Sequence, residues 1–163
     1  MKLTNNSNIN VVVLTFCVLL LAVITYLSVH TTIDFNDQRA RREQVVKQRL
    51  VSIRAAEEVY CRRHGAYTAQ FAALVDEGLI ADSLTYVPWS DGLRFELEVS
   101  SQTSKTGKAV PLMQCYATYD SYLNGLDANA IDNLTADAND QGRFPGLKIG
   151  DTSTPNNNAG NWE

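Results

Sequence analysis

The sequence contains one unbroken apolar run, VVVLTFCVLLLAVITYLSV, at residues 11–29, and this run has no charged residue. A helix rises about 1.5 Å per residue, so a run of this length spans roughly 28 Å, close to the hydrocarbon thickness of a bilayer. The rest of the chain is polar and has no second run of this kind. The sequence therefore predicts a short N-terminal tail at 1–10 and a single transmembrane helix at 11–29.

Three other interpretations of the apolar run have to be weighed. A cleaved signal peptide usually has an apolar region of about 7–15 residues followed by small residues, and this run is longer. A lipoprotein signal ending at Cys17 is disfavoured because Phe16 is bulky and the run continues past the cysteine. A helix buried in a soluble core rarely lacks polar residues on every face. A membrane anchor fits the run better than any of the three.

Charge divides the remaining chain into a basic stem at 30–65 and an acidic head at 66–163. From Arg39 to Arg63 there are eight basic and three acidic residues, a net charge of +5, whereas His64 to Glu163 carries a net charge of -8. The stem packs beside the head of its own chain, or both are simply solvated, or the head of one copy meets the stem of another. In the last case the interaction surface would include Arg39, Arg41, Arg42, Lys47 and Arg49. An acidic head without a basic-aromatic surface pattern does not suit nucleic acid.

The stem has the composition of a long amphipathic helix from about residue 36 to residue 63. Strong helix formers dominate it, and its apolar positions recur at helical spacing. The resulting face comprises Val46, Leu50, Ile53, Glu57, Tyr60 and Cys61. The β-branched residues at 30–36 favour a break before this helix, with Asp34 or Asn36 as its N-cap, and Gly65 fits the left-handed stop position after it.

The head has helices first and strands afterwards, so the predicted fold class is α+β, with the amphipathic helix packed on a small antiparallel sheet. The spacing of apolar residues predicts a short helix at 68–78 and a strictly alternating strand at 93–99. A polar hairpin loop at 100–108 leads to a return strand at 109–119. A short helix at 128–138, a last strand or extended segment at 143–150, and a tail that docks through Trp162 complete the prediction.

The cysteines raise two alternatives that the sequence leaves open. Cys61 lies on the apolar face of the stem helix, and Cys115 lies on the inward face of the return strand. In an oxidising compartment they would form a disulfide; otherwise they are buried free thiols. Adding His64 to the pair gives a three-ligand set for zinc, although a lone C-x-x-H is a weak signal.

Nothing in the chain points to catalysis or to a cofactor. It has no G-x-S-x-G motif and no glycine-rich phosphate loop. Glu57 and Glu58 are neighbours, but side chains of neighbouring helical residues point about 100° apart, so they do not face one site. A salt bridge from Glu57 to Arg54, or to neighbours on the Cys61 side, is the simpler expectation. We therefore predict no catalytic residues, no metal, no cofactor and no enzyme activity.

The passage from stem to head resembles that of type IV pilins and type II secretion pseudopilins. The resemblance lies in RLVSIRAAEEVY at 49–60, followed by HGAYT at 64–68 and by Leu74. In those proteins a helix ends in an aromatic residue, a short gap leads to G-x-Y, and a leucine-containing helix follows. The resemblance implies a pilin-like fold and an extracytoplasmic head. The family's prepilin signature, which includes a glutamate in the apolar helix, has no counterpart here, since residues 1–33 contain no acidic residue.

The chain is also similar to uncharacterised single-pass envelope proteins of Gram-negative bacteria. The similarity lies in a P-x-S-x-G turn at 88–92, in GLKIG at 146–150 and in the ending NAGNWE at 158–163. Together the two resemblances imply an inner-membrane protein with a cytoplasmic N-terminus and a periplasmic head. The expected function is a pilin-like structural or assembly role in a bacterial envelope or secretion apparatus, with partners among envelope proteins or other copies of the chain. The alternative is a single-pass ligand-binding or sensor module.

Overall fold

The computed structural model describes the backbone of residues 5–103, 107 and 109–163, and the side chains of 11–26, 34–103, 107 and 109–163. The chain forms two compact units, Met1–Gln38 and Arg39–Glu163. Helix α1 (Asn5–His64) supplies the described part of the first unit and begins the second.

Helix α1 continues through the segment where the sequence predicted a break, so that prediction is wrong. Residues 30–36 contain neither proline nor glycine, and β-branched residues each cost a helix only a few tenths of a kcal/mol. The side chains of 27–33, which end the apolar run and include His30, lie outside the described residues. The predicted stop is confirmed: Gly65 has φ 80° and donates its N–H to the carbonyl oxygen of Cys61 at 2.8 Å.

In the first unit every described side chain from residue 11 to residue 26 is exposed. The hydroxyl groups of this segment donate to carbonyl oxygens one turn earlier, Thr15 to Val11 at 2.9 Å and Thr25 to Leu21 at 2.8 Å. The sequence predicted a transmembrane helix at 11–29. Over the residues that the structure describes, no helix is both long enough and apolar enough to span a membrane.

The second unit is α+β, as predicted. After α1 come α2 (Phe71–Asp76), a 3₁₀ turn (Asp82–Thr85), β1 (Glu96–Thr103), β2 (Ala109–Thr118), α3 (Tyr119–Tyr122), α4 (Ala128–Asp140) and β3 (Gly146–Gly150). The three strands form an antiparallel sheet in the order β1-β2-β3. Leu97, Cys115 and Ile149 stand opposite one another across it.

Strands β2 and β3 and helix α4 confirm their predicted segments to within a few residues. Strand β1 differs, because it begins at Glu96 and runs to Thr103 through residues predicted as a loop. Its ladder with β2 extends to the pair Thr103–Ala109, and the Ser100 hydroxyl donates to the carbonyl oxygen of Thr152 at 2.6 Å. Cross-strand pairing and these contacts outweigh the low strand propensity of a polar segment.

The core of the second unit lies between α1 and the sheet. Val46, Leu50 and Ile53 of α1 have no exposed surface, and neither do Met113 and Ile149 of the strands. The helix therefore buries Val46, Leu50, Ile53 and Glu57 of its predicted face, whereas Tyr60 and Cys61 are only half-buried.

The C-terminal tail docks on this unit, as the sequence predicted. Gly160 pairs with Ile149 of β3 in an isolated bridge. Arg54 donates to the carbonyl oxygen of Asn158 at 3.1 Å and to Oε1 of Glu163 at 2.9 Å. These contacts join the end of the chain to both the sheet and α1.

Candidate functional site

The basic side chains of the stem are the first candidates for an interaction surface. Arg39 donates to Glu43 at 2.7 Å, and its guanidinium lies 5.6 Å from the centre of the Tyr119 ring. The Lys47 ammonium lies 3.8 Å from Glu43 and 5.7 Å from the centre of the Trp162 ring. Both cations are therefore held by groups of their own chain.

Arg42 and Arg49 also contact the head of the same chain. Arg42 donates to the carbonyl oxygens of Tyr122 at 3.1 Å and Asn124 at 2.8 Å. Arg49 donates to the carbonyl oxygens of Ser83 and Tyr86. In this structure the stem therefore packs beside the head of its own chain.

Arg41 differs from the other four predicted stem residues because it is exposed. It is one residue away from Arg42, and on a helix that rotation of about 100° turns it from the head toward solvent. Charge counting could not distinguish the two arginines, whereas helical phase relative to Val46 and Leu50 could have done so.

The turn at 88–92 has backbone angles that few residues other than glycine adopt. Trp89 has φ 61°, Asp91 has φ 53°, and both lie in the left-handed region. The Arg42 guanidinium lies 4.9 Å from the centre of the Trp89 ring, and Asn124 donates its amide to Asp91 at 2.9 Å. The Ser90 hydroxyl donates to the carbonyl oxygen of Val87 at 2.7 Å. The turn presents Trp89 with 45% of its surface exposed.

All three cysteines are free thiols in this structure, and of the predicted pair only Cys115 is buried. Cys115 is fully buried, and burial raises the pKa of its thiol well above the ordinary value. Cys61 is only half-buried and lines a shallow cavity with Tyr67 and Asn158. One turn before Cys61 on α1, Glu57 is more deeply buried and has no exposed surface. A thiol with a raised pKa has little thiolate at neutral pH, so Cys115 is poorly suited to nucleophilic chemistry.

Glu57 is the most unusual titratable group in the second unit. Its Oε2 accepts the backbone N–H of Thr68 at 3.1 Å, and its Oε1 has no hydrogen-bond partner within the described part of the chain. Burial raises the pKa of this carboxyl from 4.5 to about 7, and the Thr68 hydrogen bond opposes that shift. The predicted salt bridge to Arg54 is wrong, because Arg54 turns toward Glu163 instead. Glu57 ties the loop after α1 to the core.

His64 does not join the cysteines. Its Nε2 lies 2.6 Å from Oε1 of Glu77, and its ring stacks on Tyr60 with centres 4.2 Å apart. Within the part of the chain that the structure describes, no cluster of three or more potential metal ligands occurs. The zinc set of Cys61, His64 and Cys115 is therefore not assembled.

No protein-family model, no curated protein and no solved structure matches this chain. The resemblance to pilins stays a hypothesis, and the function has to be inferred from the residues themselves.

Proposed function

We propose that the protein is a membrane-anchored, pilin-like structural or assembly protein of a bacterial envelope. Residues 11–29 would lie in the inner membrane, with the N-terminus in the cytoplasm and the head in the periplasm. One observation carries the proposal: the large apolar side chains from Val11 to Ile24 are exposed along the whole of that segment.

The extent of that uncovered surface distinguishes it from ordinary surface residues. Between Val11 and Tyr26, twelve large apolar side chains are each 46–67% exposed. Single exposed apolar residues are normal on a monomer, but a continuous surface of this size marks a contact with lipid or with another protein. Because the segment is apolar on every face, lipid is the surrounding that fits it best.

The polar atoms of the segment support the same conclusion. The hydroxyl groups of Thr15 and Thr25 are both bonded to carbonyl oxygens of their own helix. Hydrocarbon offers no hydrogen bonds, so a spanning helix has to satisfy its polar groups internally. These two threonines meet that requirement without water or a partner chain.

The stem offers a surface for assembly on the side away from the head. Arg41, Gln44, Gln48, Val51 and Ala55 are all exposed and recur at helical spacing. This stripe, which we call the outer stripe, lies opposite the buried face. Since Arg39, Arg42, Lys47 and Arg49 are held by the head, association between copies would proceed through the outer stripe.

Topology and membrane attachment test the anchor. A reporter enzyme that is active only in the periplasm, fused after Glu163, should be active and should resist extraction by alkaline carbonate. The same fusion without residues 11–29 should lose both properties. Activity of a cytoplasmic reporter at Glu163, or release of the full chain by carbonate, would refute the proposed localisation.

Crosslinking in cells tests assembly. A photocrosslinking amino acid at Gln44 or Gln48 should give adducts with a second copy or with an envelope protein. The control is the same amino acid at Asp132, which is exposed on α4 and lies outside the outer stripe. Monomer alone at both stem positions, or equal adducts at Asp132, would contradict an assembly role of the stem.

A further inference from the structure

A groove with a cavity of about 370 Å³ lies between α1, the α4–β3 loop, β3 and the C-terminal tail. All of the residues that line it belong to the second unit. Its volume falls in the usual range of small-molecule sites. Neither the anchor nor the outer stripe contributes to it.

The groove is basic within an acidic head. Its charged lining consists of Arg39, Lys47, Arg143 and Lys148 against a single carboxylate, Glu43. The head from residue 64 onward carries a net charge of -8, yet two of its three described basic residues, Arg143 and Lys148, line this groove. Such a concentration of one sign attracts an anion.

Three of the four cations lie over aromatic rings. Arg39 and Lys47 stack on Tyr119 and Trp162, as described above, and the Lys148 ammonium lies 5.9 Å from the centre of the Phe144 ring. These contacts restrict the cations and leave apolar ring surface beside them.

Part of the positive charge is not neutralised within the chain. Glu43 is shared by Arg39 at 2.7 Å and Lys47 at 3.8 Å, and Lys148 lies 3.8 Å from Asp151. Arg143 is exposed, and no side chain in the described ranges forms an ion pair with it. The groove therefore keeps a net positive charge and a guanidinium that is available to a ligand.

We propose that this groove binds a small organic anion, in which a carboxylate or phosphate ester is attached to an apolar or aromatic body. The charged group would bind Arg143, with the positive charge of Lys47 nearby, and the apolar body would lie against Phe144 and Trp162. A guanidinium can bind either anionic group with two parallel hydrogen bonds. The proposal stands apart from membrane anchoring and from assembly, so it can fail or succeed without them.

The test uses the full chain in neutral detergent, with the indole N–H signals of its two tryptophans followed by NMR. Phenyl phosphate and benzoate should shift the Trp162 signal saturably while leaving that of Trp89 in place. Inorganic phosphate should bind more weakly, and benzylamine, which has the ring but a positive charge, should not bind. Absence of saturation with every anion, or equal binding of benzylamine, would overturn the proposal.

Variants assign the binding to the groove. Arg143→Gln removes an exposed cation without removing an ion pair and should weaken phenyl phosphate binding about tenfold, as should Lys47→Gln. The control Arg63→Gln, an exposed arginine outside the groove, should bind as the unchanged chain does. Equal loss in all three variants would show nonspecific attraction and refute a site.

The same chemistry occurs on soluble phosphate esters and on anionic lipid headgroups. Dioctanoyl phosphatidic acid, added below its micelle concentration and compared with phenyl phosphate, distinguishes a lipid ligand from a soluble ester. A saturable Trp162 shift with this lipid alone would support the groove with a lipid headgroup as its ligand, whereas a shift with phenyl phosphate supports a soluble ester.

Discussion

Glu57 shows how one buried carboxyl can make the stability of a domain depend on pH. The pKa of this group is raised to about 7 in the folded chain, whereas an unfolded glutamate titrates near 4.5. Between these values the folded state binds more protons than the unfolded state. Stability is therefore greatest below about pH 4.5 as far as this group is concerned, and it falls as the pH rises toward 7.

Replacing Glu57 with glutamine should remove most of that dependence. The unchanged chain should lose at most about 3 kcal/mol of unfolding free energy between pH 4.5 and 7 through this group. In Glu57→Gln the urea midpoint should vary much less over the same range. Glu58→Gln, a change at the half-exposed neighbour, should keep the slope of the unchanged chain. A slope that Glu57→Gln leaves intact would show that another group controls it.

Arg42 provides a second test at a single residue. Lysine keeps the charge but loses the planar guanidinium, whose Nη1 donates to two carbonyl oxygens and whose face lies over Trp89. We expect Arg42→Lys to lower the free energy of unfolding by about 1–2 kcal/mol and Arg41→Lys to change it by less than about 0.5 kcal/mol. Chemical denaturation of the two variants measures the difference. Equal effects would mean that the head contacts of Arg42 contribute nothing.

At the level of the helices and strands, the sequence predicted most of the second unit correctly. The phase of Val46, Leu50 and Ile53 identified the buried face of α1, because a helix that packs on one side repeats its apolar residues every three to four positions. The end of β1 could not be predicted, because it depends on Ala109 across the ladder and on Thr152, far away in the chain. The composition of the β1 segment alone cannot indicate contacts with residues so far away in the chain.

Two glycines with similar backbone angles should differ in their tolerance of a side chain. Gly142 (φ 63°) has open space where a Cβ would stand, whereas a Cβ at Gly150 (φ 69°) would overlap the carbonyl oxygen of Met113 in β2. Gly142→Ala should cost about 1 kcal/mol from backbone strain alone. Gly150→Ala adds the overlap and should cost at least about 3 kcal/mol. Thermal unfolding measures both, and equal costs would contradict the close approach of β3 to β2.

The candidate site was less predictable than the fold. Counting charges found Arg39, Arg42 and Lys47, but it could not show that carbonyl oxygens and aromatic rings of the same chain hold them. The partners Tyr119 and Trp162 are more than 70 residues away along the chain. A groove composed of residues so far apart exists only after folding, and no spacing rule identifies it.

At the scale of the whole molecule, the division into two units predicts that the second can fold alone. A fragment of residues 34–163 keeps the buried face of α1, the sheet and the docked tail. It should be monomeric without detergent and unfold in one cooperative transition, whereas the full chain should require detergent. Sedimentation and denaturant titration of the two chains test this. A fragment that aggregates or unfolds gradually would show that the head needs the first unit.

The two edge strands of the sheet, β1 and β3, have different neighbours. The tail pairs with β3 through Gly160, so the chain closes that side with its own last residues. Within the described part of the chain no strand pairs with the outer edge of β1, and β1 includes Glu96 and Glu98. Two like charges on an open strand repel a second copy of the same strand and guard against sheet growth. The two edges of the sheet therefore differ. The β3 edge is paired with the chain's own tail, whereas the β1 edge is unpaired and protected by its negative charge.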